Sequence, residues 1–95
     1  MSETTPTGTQ KVALVTGGAK GIGRSIVLHL ANAGWRVAFC DTDANVGDQL
    51  AATAAGLRFI AADVSSEPEV ARCIADTVEW GGRLDALINN AGIAD

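Results

Sequence analysis

Short apolar runs alternate with amphipathic segments along the chain. Val12-Ala13-Leu14-Val15 is a continuous apolar run that stops at Thr16-Gly17-Gly18, the pattern of a short strand buried on both faces. From Gly21 the period changes: Ile22, Ile26, Leu30 and Ala33 recur at i, i+4, i+8 and i+11, with Val27 beside them. That spacing predicts a helix with its apolar stripe on those residues, stopped by Gly34. A second run, 37–40, ends in Asp41 and predicts a second strand. Val46, Leu50 and Ala54 give 45–55 a helical period, with Gly47 expected in the helix interior, where alanine would do no harm. A third strand is predicted over 57–62, ending at Asp63-Val64. Ser65 or Ser66 then caps a third helix, with Pro68 in its first turn and Glu69 at capping-box spacing from Ser66. Val70, Cys73, Ile74 and Val78 form its apolar face, with Trp80 at the margin and Gly81-Gly82 at its end. A fourth strand, 84–88, leads into Asn89-Asn90-Ala91-Gly92.

Four strands alternating with three helices imply βαβ units. Right-handed crossovers then make an α/β fold, a doubly wound parallel sheet with helices on both faces. The chain of 95 residues is long enough for one domain. Residues 1–10 have no periodicity and are expected to be a disordered tail, with the domain occupying 11–95.

Composition narrows the function classes. Apolar residues are 47% and charged residues 19% of the chain, which excludes a wholly disordered protein. Net charge is −4 and the seven Lys and Arg are scattered, so no basic stripe exists and nucleic acid is not an expected partner. Apolar stretches such as 37–40 are four residues long, so no membrane span is expected. The first ten residues lack a basic start and an apolar stretch, so they do not read as a secretory signal and a cytoplasmic location is expected. Cys40 and Cys73 have no CxxC spacing and sit in apolar patterns, as reduced packing residues do.

The chemistry concentrates where the first strand meets the first helix. Thr16-Gly17-Gly18-Ala19-Lys20-Gly21-Ile22-Gly23 offers glycines for positive φ, for close ligand approach and for close helix packing. The first N–H groups of the following helix have no intrahelical acceptor and carry partial positive charge, so a pyrophosphate is the natural occupant. A competing pattern, Gly18 to Ser25, differs from a P-loop by Arg24 at the lysine position. A planar guanidinium does not replace the compact ammonium that motif needs. Eighteen residues after Gly23, Asp41 ends the second strand, where an acid accepts hydrogen bonds from an adenosine ribose.

These residues make the sequence resemble the short-chain dehydrogenase/reductase family. The matching pieces are Thr16, Gly17, Gly21 and Gly23 of the loop, Asp41, the pair Asp63-Val64, and Asn89-Asn90-Ala91-Gly92. The resemblance implies a Rossmann-like sheet in the order 3-2-1-4, with the ligand at the C-terminal ends of the first and fourth strands. It implies that the loop, including Gly18, Lys20 and Ile22, holds the pyrophosphate of a nicotinamide dinucleotide. Asp63 and the Val64 backbone would contact adenine, and Asn90, Ala91 and Gly92 would line the cofactor. Asn89 would support the sheet, and Thr16 would tie the loop to the fourth strand. The implied activity is hydride transfer between the cofactor and an alcohol or carbonyl substrate. Asp41 favours NAD over NADP, whereas Lys20 argues the other way.

The departure from the family lies in the catalytic set. Family catalysis uses Ser, a Tyr-x-x-x-Lys pair and an Asn downstream of the Asn-Asn-Ala-Gly segment. This sequence has no tyrosine, Lys only at 11 and 20, and Ser at 2, 25, 65 and 66. The expectation is therefore the cofactor-binding part of a longer, homo-oligomeric oxidoreductase, itself without catalytic residues. The alternative is a non-catalytic dinucleotide-binding module or partner chain. No metal site is expected. His29, the one histidine, reads as a solvated or rim residue off the Ile22/Ile26/Leu30 face. Trp35 and Trp80 are expected to cover sheet ends, and Asp43, Asp48 and Asp76 to be solvated surface.

Overall fold

The structure, a computed structural model, describes residues 10–90. The elements are β1 (Val12–Thr16), α1 (Gly21–Asn32), β2 (Arg36–Asp41), α2 (Ala44–Ala51), β3 (Leu57–Ala61), α3 (Glu67–Gly81) and β4 (Ala86–Asn89). All strand pairs are parallel, and the sheet order is β3-β2-β1-β4, as the sequence implies. β1 is buried along its whole length because strands flank it on both edges and helices cover both faces. Strand alternation sorts its side chains. Val15, Val37 and Phe39 pack beneath α1 and α2 with Val27, Leu50 and Leu57, while Leu14, Ala38 and Cys40 pack against Cys73 of α3 and Ile60. After β3 the chain returns across the sheet to β4 on the far side of β1. The C-terminal ends of β1 and β4 thus mark the switch point where open sheets of this kind form a ligand crevice. Among the described residues no helix is long and apolar enough to cross a membrane.

Several local expectations are corrected. The buried face of α1 is Gly23 and Val27 rather than Ile22, which is 68% exposed. The glycine lets the helix sit down on the preceding loop, and this rotates the stripe by one residue. His29 remains exposed but lies on the same side as Ile22, Ile26 and Leu30, and the four border a groove with Ile88. The helix ends at Asn32, and Gly34 follows with φ +94°.

The second helix is shorter than expected. It starts at Ala44, capped by the Asp43 carboxylate on Val46 N–H at 3.2 Å, and stops at Ala51. There the Thr53 hydroxyl donates to Leu50 O at 2.7 Å, and such local bonds compete with helix continuation. Gly47 is no tolerant interior position: a Cβ there would overlap the Phe59 ring.

Ser66 precedes α3 as its cap but makes no side-chain cap bond, so the expected capping box is absent. Glu69 instead accepts from Asp63 N–H at 3.4 Å and from Arg72. Thr77 takes the buried place expected for Val78, its hydroxyl satisfied by Cys73 O at 2.7 Å, and Val78 is 41% exposed. The fourth strand begins at Ala86, because Asp85 is occupied as a clamp that accepts from Val12 N–H at 2.8 Å and from the Arg83 guanidinium.

Cys40 and Cys73 are unbridged and buried in one cluster. Burial, with Cys73 as a hydrogen-bonding neighbour, pushes the Cys40 thiol up to about 12, which makes it unreactive. Trp35 and Trp80 lie against the two core clusters, with Lys11 and Arg36 over their rings.

Candidate functional site

The loop between β1 and α1 is held by bonds to the ends of the neighbouring strands. Gly17 and Gly18 N–H both donate to Cys40 O, at 2.8 and 3.1 Å. Ala19 N–H donates to Asp41 Oδ2 at 3.3 Å. Thr16 Oγ1 donates to Asn89 Oδ1 at 3.0 Å, and Asn90 Nδ2 to Gly17 O at 3.1 Å. The loop is therefore braced from β2 on one side and from β4 on the other. Gly17 and Gly21 have φ of +66° and +58°, a region where side chains are strained. Gly23 is required for a different reason: a Cβ there would overlap Gly17 O and press on Asn90 Nδ2. A Cβ on Gly18 would point at Phe39 and Val27 in the core.

Beyond the loop, the first turn of α1 presents N–H donors without a partner among the described residues. Its first helical bond runs from Arg24 N–H to Lys20 O at 3.2 Å, so the N–H groups of Gly21, Ile22 and Gly23 precede any intrahelical acceptor. Lys20 contributes no side-chain cap; its ammonium lies 3.7 Å from Asp43 Oδ2, both groups partly exposed.

A cleft of about 380 Å³ opens beside this loop, lined by Gly17, Asp41, Thr42, Asp63, Ser65 and Asn89 among others. Asp41 joins cleft to loop, since its carboxylate accepts from Ala19 N–H through one oxygen and from Asp43 N–H through the other, at 3.2 Å. At the outer wall Asp63 Oδ1 accepts from Ser65 Oγ at 2.7 Å and Ser65 N–H at 3.0 Å. These bonds hold the exposed Asp63 carboxyl below its usual range. Val64 lies on the same wall.

Of the sequence-derived residues, Gly17, Asp41, Asp63, Val64 and Asn89 line the cleft, and Thr16 and Asn90 brace the loop beside it; Lys20, Gly21 and Gly23 sit at the start of α1, outside the cleft lining; a side chain on Gly18 would point into the core, and the Ile22 side chain faces the α1–β4 groove. Ala91 and Gly92 lie outside the described residues. Asp43 and Ser65 were missed as contributors, as was Thr42. Their signals were an Asp before a helical period and a Ser two residues after a strand-ending Asp, both local side-chain-to-backbone patterns. Among the described residues no His, Cys, Asp or Glu group could hold a metal ion.

A family model described as short chain dehydrogenase matches residues 11–95. The chain is 40% identical over 82 residues to L-fucose dehydrogenase of Mus musculus, covering 86% of this chain and 30% of the relative. It is 42% identical over 87 residues to (+)-borneol dehydrogenase 2 of Salvia officinalis, covering 88% and 31%. Among solved structures it resembles 3-ketoacyl-(acyl-carrier-protein) reductase from Brucella melitensis complexed with NADH. The TM-score is 0.78 at 29% identity, over 81% of this chain and 32% of that one. The chain spans about a third of the length of these relatives.

Proposed function

The chain belongs to the short-chain dehydrogenase family, and from that premise we propose that it is the dinucleotide-binding part of an oxidoreductase acting between alcohol and carbonyl. The observation that carries this reading is the bond from Ala19 N–H to Asp41 Oδ2. It joins the glycine loop, from which α1 starts, to the acid ending β2, and Gly17 of the loop and Asp41 line one cleft. The donor set fits the group. Gly21, Ile22 and Gly23 N–H would take the pyrophosphate, with Gly21 leaving open space where a Cβ would stand. Asp41 would accept from the ribose hydroxyls, and Asp63 and Val64 would border adenine. A bound nicotinamide dinucleotide would supply the hydride carrier, while the proton-transfer residues of the family have no counterpart here: tyrosine is absent. We therefore assign binding to this chain and no turnover by itself.

The preferred cofactor is NAD. Asp41 would face the 2′-phosphate of NADP with like charge, and two backbone N–H bonds hold its carboxylate in place. Lys20, the one loop residue that would favour NADP, is engaged by Asp43, so part of its charge is already answered. The test compares NAD and NADP dissociation constants in the wild type and in Asp41→Asn, which keeps one acceptor for the loop. NAD should bind more tightly, and the substitution should shrink the difference by about tenfold. NADP binding more tightly, or an unmoved ratio, contradicts the assignment.

A further inference from the structure

One face of the sheet carries a row of groups packed without slack, and the row ends at the glycine loop. Phe39 and Phe59 are register partners on neighbouring strands, so their side chains stand on the same face. Their ring centroids are 5.5 Å apart and the planes are tilted by 44°, a packing that aromatic pairs favour. The outer ring carries α2, where Gly47 comes so near that a Cβ on it would overlap Phe59. The inner ring carries the loop. A Cβ on Gly18 would stand 2.5 Å from Phe39 Cβ, with Val27 Cγ2 at 3.1 Å, so the Gly18 backbone itself lies against the base of the Phe39 side chain. Phe39 is fully buried, and Cys40, which follows it, accepts both Gly17 and Gly18 N–H on its carbonyl oxygen. Helix, two rings and loop backbone thus form one contiguous stack, and neither ring is among the residues that line the cleft.

Close-packed interiors pass a displacement from one group to the next. Truncation of Phe59 removes one wall of the Phe39 ring and gives it room to tilt, whereas a methyl group on Gly47 drives the Phe59 ring toward Phe39. In both cases Gly18 meets the change, because it has no side chain to absorb it. The donors of Gly21 to Gly23 begin three residues further along the same loop. We propose that Phe59 is a positioning residue for the glycine loop: from the neighbouring strand, and through Phe39, it sets where the loop backbone lies and so where the first N–H groups of α1 point. The consequence for dinucleotide affinity rests on the binding function proposed above; the placement of the loop does not. Misplacement of a binding group by about 1 Å is enough to impair what it holds.

The test combines amide chemical shifts of the free chain with calorimetric dissociation constants for NAD, each variant being held at a temperature where its melting curve shows it fully folded. Phe59→Leu and Gly47→Ala should both move the Gly17, Gly18 and Ala19 amides. Val12→Ala, which truncates an equally buried side chain at the far end of β1, should leave them in place. NAD affinity should fall about fivefold in each of the first two variants, the scale on which residues in contact couple, and stay within about twofold of the wild type in Val12→Ala. Gly47→Ala combined with Phe59→Leu, where the added methyl group takes part of the space of the lost ring, should bind NAD within about twofold of the wild type. Loop amides that ignore Phe59→Leu overturn the proposal, as does a Val12→Ala variant that weakens NAD equally, since loss of stability would then explain both. Failure of the wild type to bind NAD overturns the binding function itself, and the loop amides of the free chain still decide whether Phe59 positions the loop.

Discussion

Two glycines that look alike in sequence do different work, and each carries a prediction. Gly23 permits α1 to rest on Gly17 O, so Gly23→Ala should push the helix start off the loop and weaken NAD binding by more than tenfold, measured by calorimetry. Gly47 touches no part of the cleft but faces the Phe59 ring, which itself packs 5.5 Å from Phe39. Gly47→Ala should therefore destabilise the fold by about 1–3 kcal/mol through overpacking, seen as a lower midpoint in thermal or urea unfolding. An unchanged midpoint would mean that Phe59 has room to move. The glycine pattern in the sequence located the loop because strand, turn and helix periods meet there. It could not separate Gly18, which is turned toward Phe39, from Gly17 and Gly21, which need positive φ, because that distinction arises from tertiary packing. Asp41 was legible by its place after an apolar run. Its second role, holding Ala19 N–H, was not, since it joins residues from two different connections.

At the scale of elements, order and type were readable and phase was not. Short apolar runs flanked by turn residues identified all four strands. The stripe of α1 shifted because Gly23, with no side chain to count in any periodic pattern, is buried against Gly17 O. Thr77 escaped notice in α3 because a hydroxyl that bonds back to Cys73 O can be buried like an apolar group. The clamp before β4 gives this scale its pH test. Arg83, together with Val12 N–H, lowers the Asp85 pKa from 3.8. A folded pKa below the unfolded one gives stabilisation that is complete above the unfolded value and disappears as pH falls through the folded value. The melting temperature of the wild type should exceed that of Asp85→Asn at about pH 6, and the gap should narrow as pH falls below 3.8. A gap that persists in acid would mean that the clamp acts through shape rather than charge.

For the whole molecule, the two faces of α1 divide the account. One side of α1 packs on the sheet and the other leaves Ile22 68% exposed; on the opposite face of the sheet Leu87 of the edge strand β4, in register with Leu14, is 48% exposed, so among the described residues this sheet edge carries apolar surface on both faces. Such edges promote association, so this chain should sediment with a concentration-dependent weight and Leu87→Lys should reduce it; an ideal monomer at all concentrations would contradict that reading. The cleft lies at the opposite side of the loop, at the strand ends, and the central claim is that a dinucleotide occupies it. Amide chemical-shift mapping of this chain during NAD titration tests that claim most directly. The account predicts saturable shifts concentrated at Gly21 to Gly23, Asp41 to Asp43 and Asp63 to Ser65, with Leu28 and Ala31 unmoved. No shift at saturating NAD, or shifts clustered instead around Ile26, Leu30 and Ile88, would contradict it.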